Sequence, residues 1–204
     1  MKLLMSVLAG SLLVPALAHA QDASIAQSSE SNVSLGASLQ LLPIGTLAGD
    51  SPLGGKVSTD TASAFAIGAL GEIKLDPTFS IGFAPRYIFN VKSSDANDSA
   101  AQVDLAIRVT AGGEVAPNVR LYGFAAPGYS FILPPSNGNG DTQHPNGAIL
   151  GFGGGVAYTV APKIALTGEL GYQLGFQSFD AGGTNVELKD NYLQIGFGLL
   201  AAID

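Results

Sequence analysis

Five charged residues each fall on the polar side of a segment in which polar and apolar residues alternate. They are Glu72, Arg86, Asp104, Arg108 and Glu169. If these segments are strands, a period of two directs all five side chains to the same side of the sheet. An isolated charge inside a protein is costly, so acids and arginines that share an interior should pair. We therefore predict a network in which the two arginines meet the three acids.

Such a network has two functional interpretations. It can plug a narrow eight-stranded barrel, because a barrel of that size is just wide enough to be filled by its own side chains. Alternatively, it can gate a narrow porin-like channel, in which a broken salt bridge opens an ion path. The plug is our prediction, and the channel for small solutes is the alternative.

Two prolines, Pro85 and Pro127, lie inside alternating segments. A proline has no N–H to donate to a sheet ladder, so within sheets it is confined to edges and bulges. The sequence therefore predicts a β-bulge at each proline. The alternative is a weakened seam that serves as a lateral entry pathway for a small or lipid-like molecule.

Residues suited to enzymatic chemistry are few. Beyond the first twenty residues the only histidine is His144, within the loop-like sequence NGNGDTQHPNG at 137–147. A serine-histidine-acid site needs that histidine held rigidly beside a serine, and its surroundings offer no such constraint. The segment GDSPLGGK at 49–56 lacks both the spacing and the following Ser or Thr of a phosphate-binding loop. We predict a protein that is not an enzyme and has no cofactor, with a lipid-modifying enzyme as the least favoured alternative.

Acidic residues collect between the alternating segments. They are Asp50, Asp60, Asp95, Asp98, Asp141, Asp180, Glu187 and Asp190. Asp95, Asn97 and Asp98 offer oxygen ligands of the kind that Ca²⁺ binds, but the spacing lacks the full calcium-loop template. Surface acids of this kind usually serve solvation, so we predict acidic, solvated loops and no metal site.

The elements that position these residues are eight segments of strict alternation. In 164–177, for example, Leu166, Leu170 and Tyr172 oppose Thr167 and Glu169. Each segment is long enough for the roughly 9–11 residues with which a tilted strand crosses a bilayer. The eight segments are 31–42, 63–75, 79–92, 102–112, 119–133, 149–160, 164–177 and 191–203.

The connections between these segments alternate between long and short. Long ones span 43–60, 93–101, 134–148 and 178–190, and short ones span 76–78, 114–118 and 161–163. In an up-and-down barrel all long connections then lie at one end, an asymmetry typical of outer-membrane barrels. A water-soluble barrel of the lipocalin kind is less suitable, because its outer face would have to be wetted. The prediction is an all-β, eight-stranded, antiparallel, up-and-down transmembrane β-barrel over residues 31–204.

The first twenty residues have the pattern of a signal peptide. Lys2 is followed by an apolar run from Leu3 to Ala18, and Ala18 and Ala20 flank His19 in the small-x-small pattern of a cleavage site. We expect Sec-type export with cleavage near Ala20, and a short periplasmic leader over 21–30. After the signal no stretch reaches the roughly 18 apolar residues of a spanning helix.

Composition excludes two further classes. The 204 residues carry a net charge of −7 with only nine Lys and Arg, which argues against nucleic-acid binding. The absence of cysteine excludes a disulfide-stapled scaffold.

Two stretches, together with the final strand 191–203, resemble outer-membrane β-barrel proteins of the OmpA transmembrane-domain and OmpX type. They are NVRLYGFAAPGYSF at 118–131 and FGGGVAYTVAPKIALTGELGYQLGF at 152–176, and the likeness extends over nearly the whole chain beyond the signal. The sequence departs from the family in having no peptidoglycan-binding domain after the barrel, as in the OmpX-like subset. It also lacks the terminal aromatic of the usual assembly signal, since it ends at Asp204.

This resemblance implies a location and partners. We expect a monomer in the outer membrane of a Gram-negative bacterium, surrounded by outer-membrane lipid and lipopolysaccharide and inserted by the barrel insertion machinery. The expected function is that of a small, non-enzymatic integral protein, structural or surface-interacting through four acidic extracellular loops. The sequence names no extracellular ligand.

Overall fold

The computed structural model describes residues 32–51, 55–92, 99–133, 144–180 and 183–203, and all the regular structure in these ranges is β-strand. The predicted signal peptide (1–20) and leader (21–30) lie outside these residues, as do Asp95, Asn97, Asp98 and Asp141. No helix in the described ranges is long and apolar enough to cross a membrane.

Ten strands are present in the described ranges. They are β1 (Val33–Leu42), β2 (Gly45–Ser51), β3 (Gly55–Asp60), β4 (Ala64–Lys74), β5 (Phe79–Val91), β6 (Ala100–Ala116), β7 (Val119–Leu133), β8 (Asn146–Ala161), β9 (Ile164–Asp180) and β10 (Asn185–Ile203). Neighbours from β4 to β10 pair antiparallel in chain order, and β1 pairs with both β4 and β10. The ring of eight strands is therefore closed, which confirms the predicted up-and-down barrel.

The two extra strands form a hairpin above the ring. β2 pairs with the first part of β10, where Asp50 lies opposite Glu187 and Gly45 opposite Tyr192, and β3 pairs with β2. This hairpin occupies most of the segment 43–60, which the sequence predicts to be a long connection. The predicted long connection 178–190 is also mostly strand, because β9 runs to Asp180 and β10 begins at Asn185. We call the end of the barrel that carries this hairpin the long-loop end and the opposite end the short-turn end.

Apolar side chains cover the outside of the ring and polar ones line the inside. Leu39 is 66% exposed and Phe197 is 68% exposed, whereas Gln102, Asp104 and Ser130 on the inner face are fully or almost fully buried. In water this arrangement would be unfavourable. In a bilayer the apolar face meets lipid, and ring closure gives the edge-strand N–H and C=O groups partners.

Short turns close the opposite end with local hydrogen bonds. The Oδ1 atom of Asp76 accepts the backbone N–H groups of Thr78 at 2.7 Å and Phe79 at 2.8 Å. Asn118, in the turn between β6 and β7, has φ 65°, a left-handed conformation that asparagine tolerates better than most residues.

The predicted bulges at Pro85 and Pro127 are not found. The register shifts instead at Ile88/Val91, Glu114/Ala116 and Thr159/Ala161. At each proline the register is constant and the ladder skips two residue pairs on one side. A proline has no N–H to donate, so the ladder bonds at its position are not formed. Omitting these pairs accommodates the proline without the additional residue that a bulge would insert.

The interruption at Pro85 lies between β4 and β5. Pairing stops after Gly68 opposite Arg86 and resumes at Gly71 opposite Phe83, and we call this stretch the Pro85 gap. On its other side Pro85 pairs with Leu105 without interruption.

An equivalent interruption lies between β6 and β7. Pairing stops at Ala106 opposite Gly128 and resumes at Val109 opposite Ala125, and Pro127 itself still pairs with Leu150 of β8. The wall therefore has two local gaps, each with continuous pairing on its other side.

Candidate functional site

The inner face of the barrel carries two layers of charged side chains, and the one nearer the long-loop end is centred on Arg86. Nε of Arg86 donates to Oδ2 of Asp104 at 2.8 Å, and Nη2 lies 2.7 Å from the same oxygen. Nη1 donates to Oε1 of Gln40 at 2.8 Å and to Oε1 of Gln194 at 2.7 Å. A single guanidinium on β5 thus links β6, β1 and β10.

Asp104 is saturated by donors. Besides Arg86, Nε2 of Gln102 donates to Oδ1 at 2.9 Å and Nε2 of Gln173 donates to Oδ2 at 3.1 Å. Asp104 is 1% exposed, so its charge depends on these protein donors. We call Arg86, Asp104 and the four glutamines that contact them (Gln40, Gln102, Gln173, Gln194) the upper tier.

A second layer, the lower tier, consists of Arg108, Glu169, Tyr122 and Phe124. Nη2 of Arg108 donates to Oε1 of Glu169 at 2.6 Å and Nη1 donates to Oε2 at 3.2 Å, a two-pronged ion pair between β6 and β9. The hydroxyl of Tyr122 donates to the same carboxylate at 2.7 Å. The guanidinium carbon lies 4.1 Å from the ring centroid of Phe124, which adds a cation–π contact.

Glu72 takes a different place from the other predicted acids. It accepts a hydrogen bond from the hydroxyl of Ser80, and it acts on Arg108 only through longer-range electrostatics. The structure thus brings four of the five predicted charges together as two separate pairs, Arg86 with Asp104 and Arg108 with Glu169.

The glutamines of the upper tier and the two aromatic rings of the lower tier were missed by sequence reasoning. Their signal was available, since Gln40, Gln102, Gln173 and Gln194 all lie on the polar side of the alternation. Which polar residues share a height depends on the stagger between strands, and this follows from register and not from alternation within one segment.

Space inside the barrel is limited. A cavity of about 100 Å³ lies beside the two tiers, with Arg86, Arg108 and Glu169 in its lining. That volume holds a few water molecules. Toward the long-loop end the interior is packed by an apolar cluster, the apolar cap, formed by Leu42, Ala64, Ala66, Ile88, Val91 and Tyr192.

The outer wall carries an open apolar groove of about 820 Å³ at the height of the Pro85 gap. Large outward side chains such as Leu39, Tyr87 and Phe197 border it. Gly68 and Pro85 line both this groove and the interior cavity, so the wall between them is thin here.

Asp190 corrects a sequence prediction. It was expected in a solvated loop, but it lies in β10 and is fully buried. The alternation was missed there because Asn191, Lys189 and Glu187, which alternate with the inward positions, are polar and not apolar. Asp50, Asp60, Asp180 and Glu187 lie near the long-loop end, as expected, but they belong to strands β2, β3, β9 and β10 and not to loops.

No group of three or more His, Cys, Asp or Glu residues in the described part of the chain is arranged to hold a metal ion. His144 is exposed beside β8, and its carbonyl accepts a hydrogen bond from Nδ2 of Asn146 at 3.0 Å.

Comparison with known structures agrees with this architecture. Neisserial surface protein A superposes with a TM-score of 0.52 at 17% identity, covering 85% of this chain and 98% of that one. The outer membrane protein OprG from Pseudomonas aeruginosa gives a TM-score of 0.56 at 12% identity, with the same two coverages. At these identities the likeness shows the fold alone. No curated protein sequence matches the chain.

A family model described as the outer membrane protein beta-barrel domain matches residues 6–199. This match spans most of the sequence, and it agrees with a closed ring that is apolar outside and polar inside. The chain belongs to the outer membrane protein beta-barrel domain family.

Proposed function

We propose that this protein is a non-enzymatic, non-conducting outer-membrane barrel that serves as a rigid scaffold for the acidic connections at its long-loop end. The observation that carries the proposal is the pair of buried tiers. The ion pair of Arg108 with Glu169 links β6 to β9 across the interior, and Arg86, paired with Asp104 on the neighbouring strand, also reaches β1 and β10 through Gln40 and Gln194. An open pore would instead need a continuous water-filled path.

Energetics favour a static plug over a gate. Arg86 has donors engaged by three different residues, and Asp104 is buried among protein donors. Breaking a buried pair typically costs about 3–5 kcal/mol, so the broken state would be rarely populated. The apolar cap provides a second barrier toward the long-loop end.

The scaffold presents an acidic surface. Asp60, Asp180 and Glu187 are exposed at the long-loop end, with Lys189 as a nearby exposed cation on β10. Outward-facing acids above a membrane suit a surface-interacting or structural role in contact with lipopolysaccharide and the divalent ions bound to it. Export by the segment 1–20, assembly by the barrel insertion machinery and a monomeric state complete the proposal.

Planar-bilayer conductance tests it. Purified wild type and Arg86→Ala are each reconstituted, with a known open porin as the positive control for insertion and detection. We expect no discrete channel currents from the wild type, because both tiers and the apolar cap remain packed. Stable, ohmic single-channel currents from the wild type would refute the sealed scaffold, and currents from Arg86→Ala alone would show that the upper tier seals the lumen.

One observation favours a second function, lateral passage of small apolar molecules. At the Pro85 gap, the wall that separates the interior cavity from the outer groove lacks two ladder pairs. A molecule dissolved in the lipid would meet this part of the wall in the outer groove.

Uptake of a small apolar dye into vesicles that contain the protein tests this second function. Pro85→Ala supplies an N–H for the ladder, so it should slow uptake if the gap is the route. Pro127→Ala is the matched control, because Pro127 lines neither the cavity nor the groove. Equal uptake in vesicles with and without protein would exclude lateral passage.

A further inference from the structure

Asp190 is a buried acid that neither tier uses. Its exposure is 0%, and neither Oδ1 nor Oδ2 forms a hydrogen bond with another described residue. The side chain lies directly against the backbone of Gly175 on β9, and on the other side of β10 the residue opposite Asp190 is Leu47 of the hairpin. Burial deprives the ionised form of an acid of its hydration, so an acid in this position favours the form that carries a proton.

This part of β10 lies beyond the lipid-facing part of the ring. Residues 195–203 of β10 pair with β1, whereas residues 187–192 pair with β2 of the hairpin. The outward residues on either side of Asp190 are Lys189 and Asn191, which are polar. Asp190 therefore lies at the junction between the membrane ring and the hairpin, and a change in its charge acts on that junction.

The titratable groups that act on Asp190 come from the interior. Asp104 of β6 acts on it through its negative charge. Tyr192, on β10 itself, has a buried hydroxyl, and both Asp190 and Arg86 of β5 act on that tyrosine. The residues opposite Asp190 on β9 and β2 are uncharged. Of the other charged residues on these strands, Asp180, Glu187 and Lys189 are exposed, and Asp50 lies opposite Glu187.

Two amide side chains partly favour the ionised form. Gln177 of β9 and Gln102 of β6 face the carboxyl group closely enough to stabilise its charge, although neither contact has the geometry of a hydrogen bond. Nε2 of Gln102 also donates to Oδ1 of Asp104 at 2.9 Å. Nε2 of Gln177 also donates to Oγ of Ser130 at 3.4 Å. Burial, followed by the negative charge of Asp104, outweighs these amides and raises the pKa of Asp190 to about 6.

One positive charge is available to two acids. The guanidinium of Arg86 contacts Oδ2 of Asp104, and its remaining donors bind Gln40 and Gln194. Among the described residues no cation contacts Asp190. Two carboxyl groups that share one region ionise in two steps, and the second retains its proton to higher pH. Because Asp104 is paired with the cation, the retained proton belongs to Asp190.

We propose that Asp190 is a proton-binding switch at the junction between the barrel and the hairpin. In the packed barrel it holds a proton and is neutral. When the pH rises it loses that proton, and a second negative charge then faces Asp104 at the level where β10 exchanges β1 for β2 as its partner. Repulsion and the cost of burying this charge loosen the junction, so the long-loop end is most stable in acid.

Urea unfolding of the refolded full-length barrel, measured from about pH 4 to about pH 8, tests the switch. Aspartate in an unfolded chain titrates near a pKa of about 3.9, and the folded value for Asp190 is about 6. The folded state binds the additional proton between these two values. Stability should therefore fall as the pH rises through this window and then stay level. Two pH units correspond to a change on the order of a hundredfold in the folding equilibrium constant.

Comparison with Asp190→Asn separates this group from the other residues that titrate. Asparagine has the size of the neutral acid and does not ionise, so the variant should lose the hundredfold component and gain stability relative to wild type as the pH rises. Glu187→Gln removes an exposed acid from the same strand, and as the matched control it should keep the wild-type profile.

Infrared absorption of the carboxyl C=O group is a second measurement, and it needs only the wild type. At about pH 5.5 exposed aspartates and glutamates are largely ionised. We therefore expect a protonated carboxyl band to persist there and to disappear as the pH rises further. This measurement decides the question even if Asp190→Asn fails to refold.

Two results would overturn the proposal. The first is the absence of a protonated carboxyl band in the wild type at about pH 5.5. The second is a pH profile of stability in Asp190→Asn that runs parallel to that of the wild type. Neither result bears on the conductance experiment, so the sealed scaffold is tested separately.

Discussion

Replacing Arg86 with methionine should destabilise the barrel more than any other single charge removal in the upper tier. The change removes the ion pair to Asp104 and the donors to Gln40 and Gln194. It leaves a carboxylate that is 1% exposed without its cation. Removing one partner of a buried pair costs about 3–5 kcal/mol, so we expect a loss of that size in the free energy of unfolding.

A second substitution separates the lost charge from lost packing. Adding Asp104→Asn to Arg86→Met removes the stranded negative charge and keeps one side-chain oxygen, which can accept from Gln102 or from Gln173, whose amides donate to different oxygens of Asp104. The double variant should therefore recover about 2 kcal/mol relative to Arg86→Met alone. Arg120→Met is the matched control, because among the described residues the guanidinium of Arg120 donates one hydrogen bond, to the carbonyl of Thr78, and we expect a loss below about 1 kcal/mol.

The assay is urea unfolding in detergent micelles followed by far-UV circular dichroism, since the chain has no tryptophan to report by fluorescence. The reasoning is refuted if Arg86→Met unfolds within about 1 kcal/mol of wild type, a loss expected for a surface residue. It is also refuted if the double variant is less stable than Arg86→Met.

Three further predictions use the same unfolding assay. Arg108→Lys keeps the charge but loses the two-pronged contact with Glu169, so we expect a loss of about 1–2 kcal/mol; an unchanged midpoint would show that this geometry contributes nothing. Gly175→Ala places a methyl group against Asp190 and should cost about 1–3 kcal/mol, with partial recovery when Asp190→Ser is added; additive losses would contradict the contact. Phe197→Arg puts a charge on the 68% exposed outer face and should cost about 2–4 kcal/mol in lipid vesicles, and a neutral effect would argue against lipid contact there.

The eight ring strands could be predicted because each carries an apolar outer face opposite a polar inner face. The alternation is lost where a strand extends beyond the lipid-facing part of the barrel, because its outward residues are then polar. Glu187 and Lys189 occupy outward positions of β10. Because these outward residues are charged and not apolar, this part of the strand resembles a solvated loop in the sequence. The β2–β3 hairpin is missed for the same reason, since Thr46 and Asp50 are as polar as turn residues.

The charged residues of the interior could be identified, but their partners could not. Alternation places Arg86, Arg108, Asp104 and Glu169 on one face, and any arginine could then meet any acid. The stagger of the closed ring decides the outcome, bringing Arg108 of β6 to Glu169 of β9 while Glu72 meets Ser80. Stagger is a property of the whole sheet, and no single segment encodes it.

The prolines show a different limit. Sequence reasoning established that Pro85 cannot donate to a ladder, and a bulge is one response to that constraint. The sheet instead keeps its register and omits two pairs. Both responses satisfy the same local chemistry, so the choice depends on the neighbouring strand.

Electrophoretic mobility of the protein from isolated outer membranes, with and without boiling, tests the central claim most directly. A closed transmembrane ring resists detergent until heated, so we predict that the unboiled and boiled samples migrate differently and that both come from the outer-membrane fraction. Identical migration of the two samples, or recovery of the protein from the soluble periplasm, would contradict the membrane barrel.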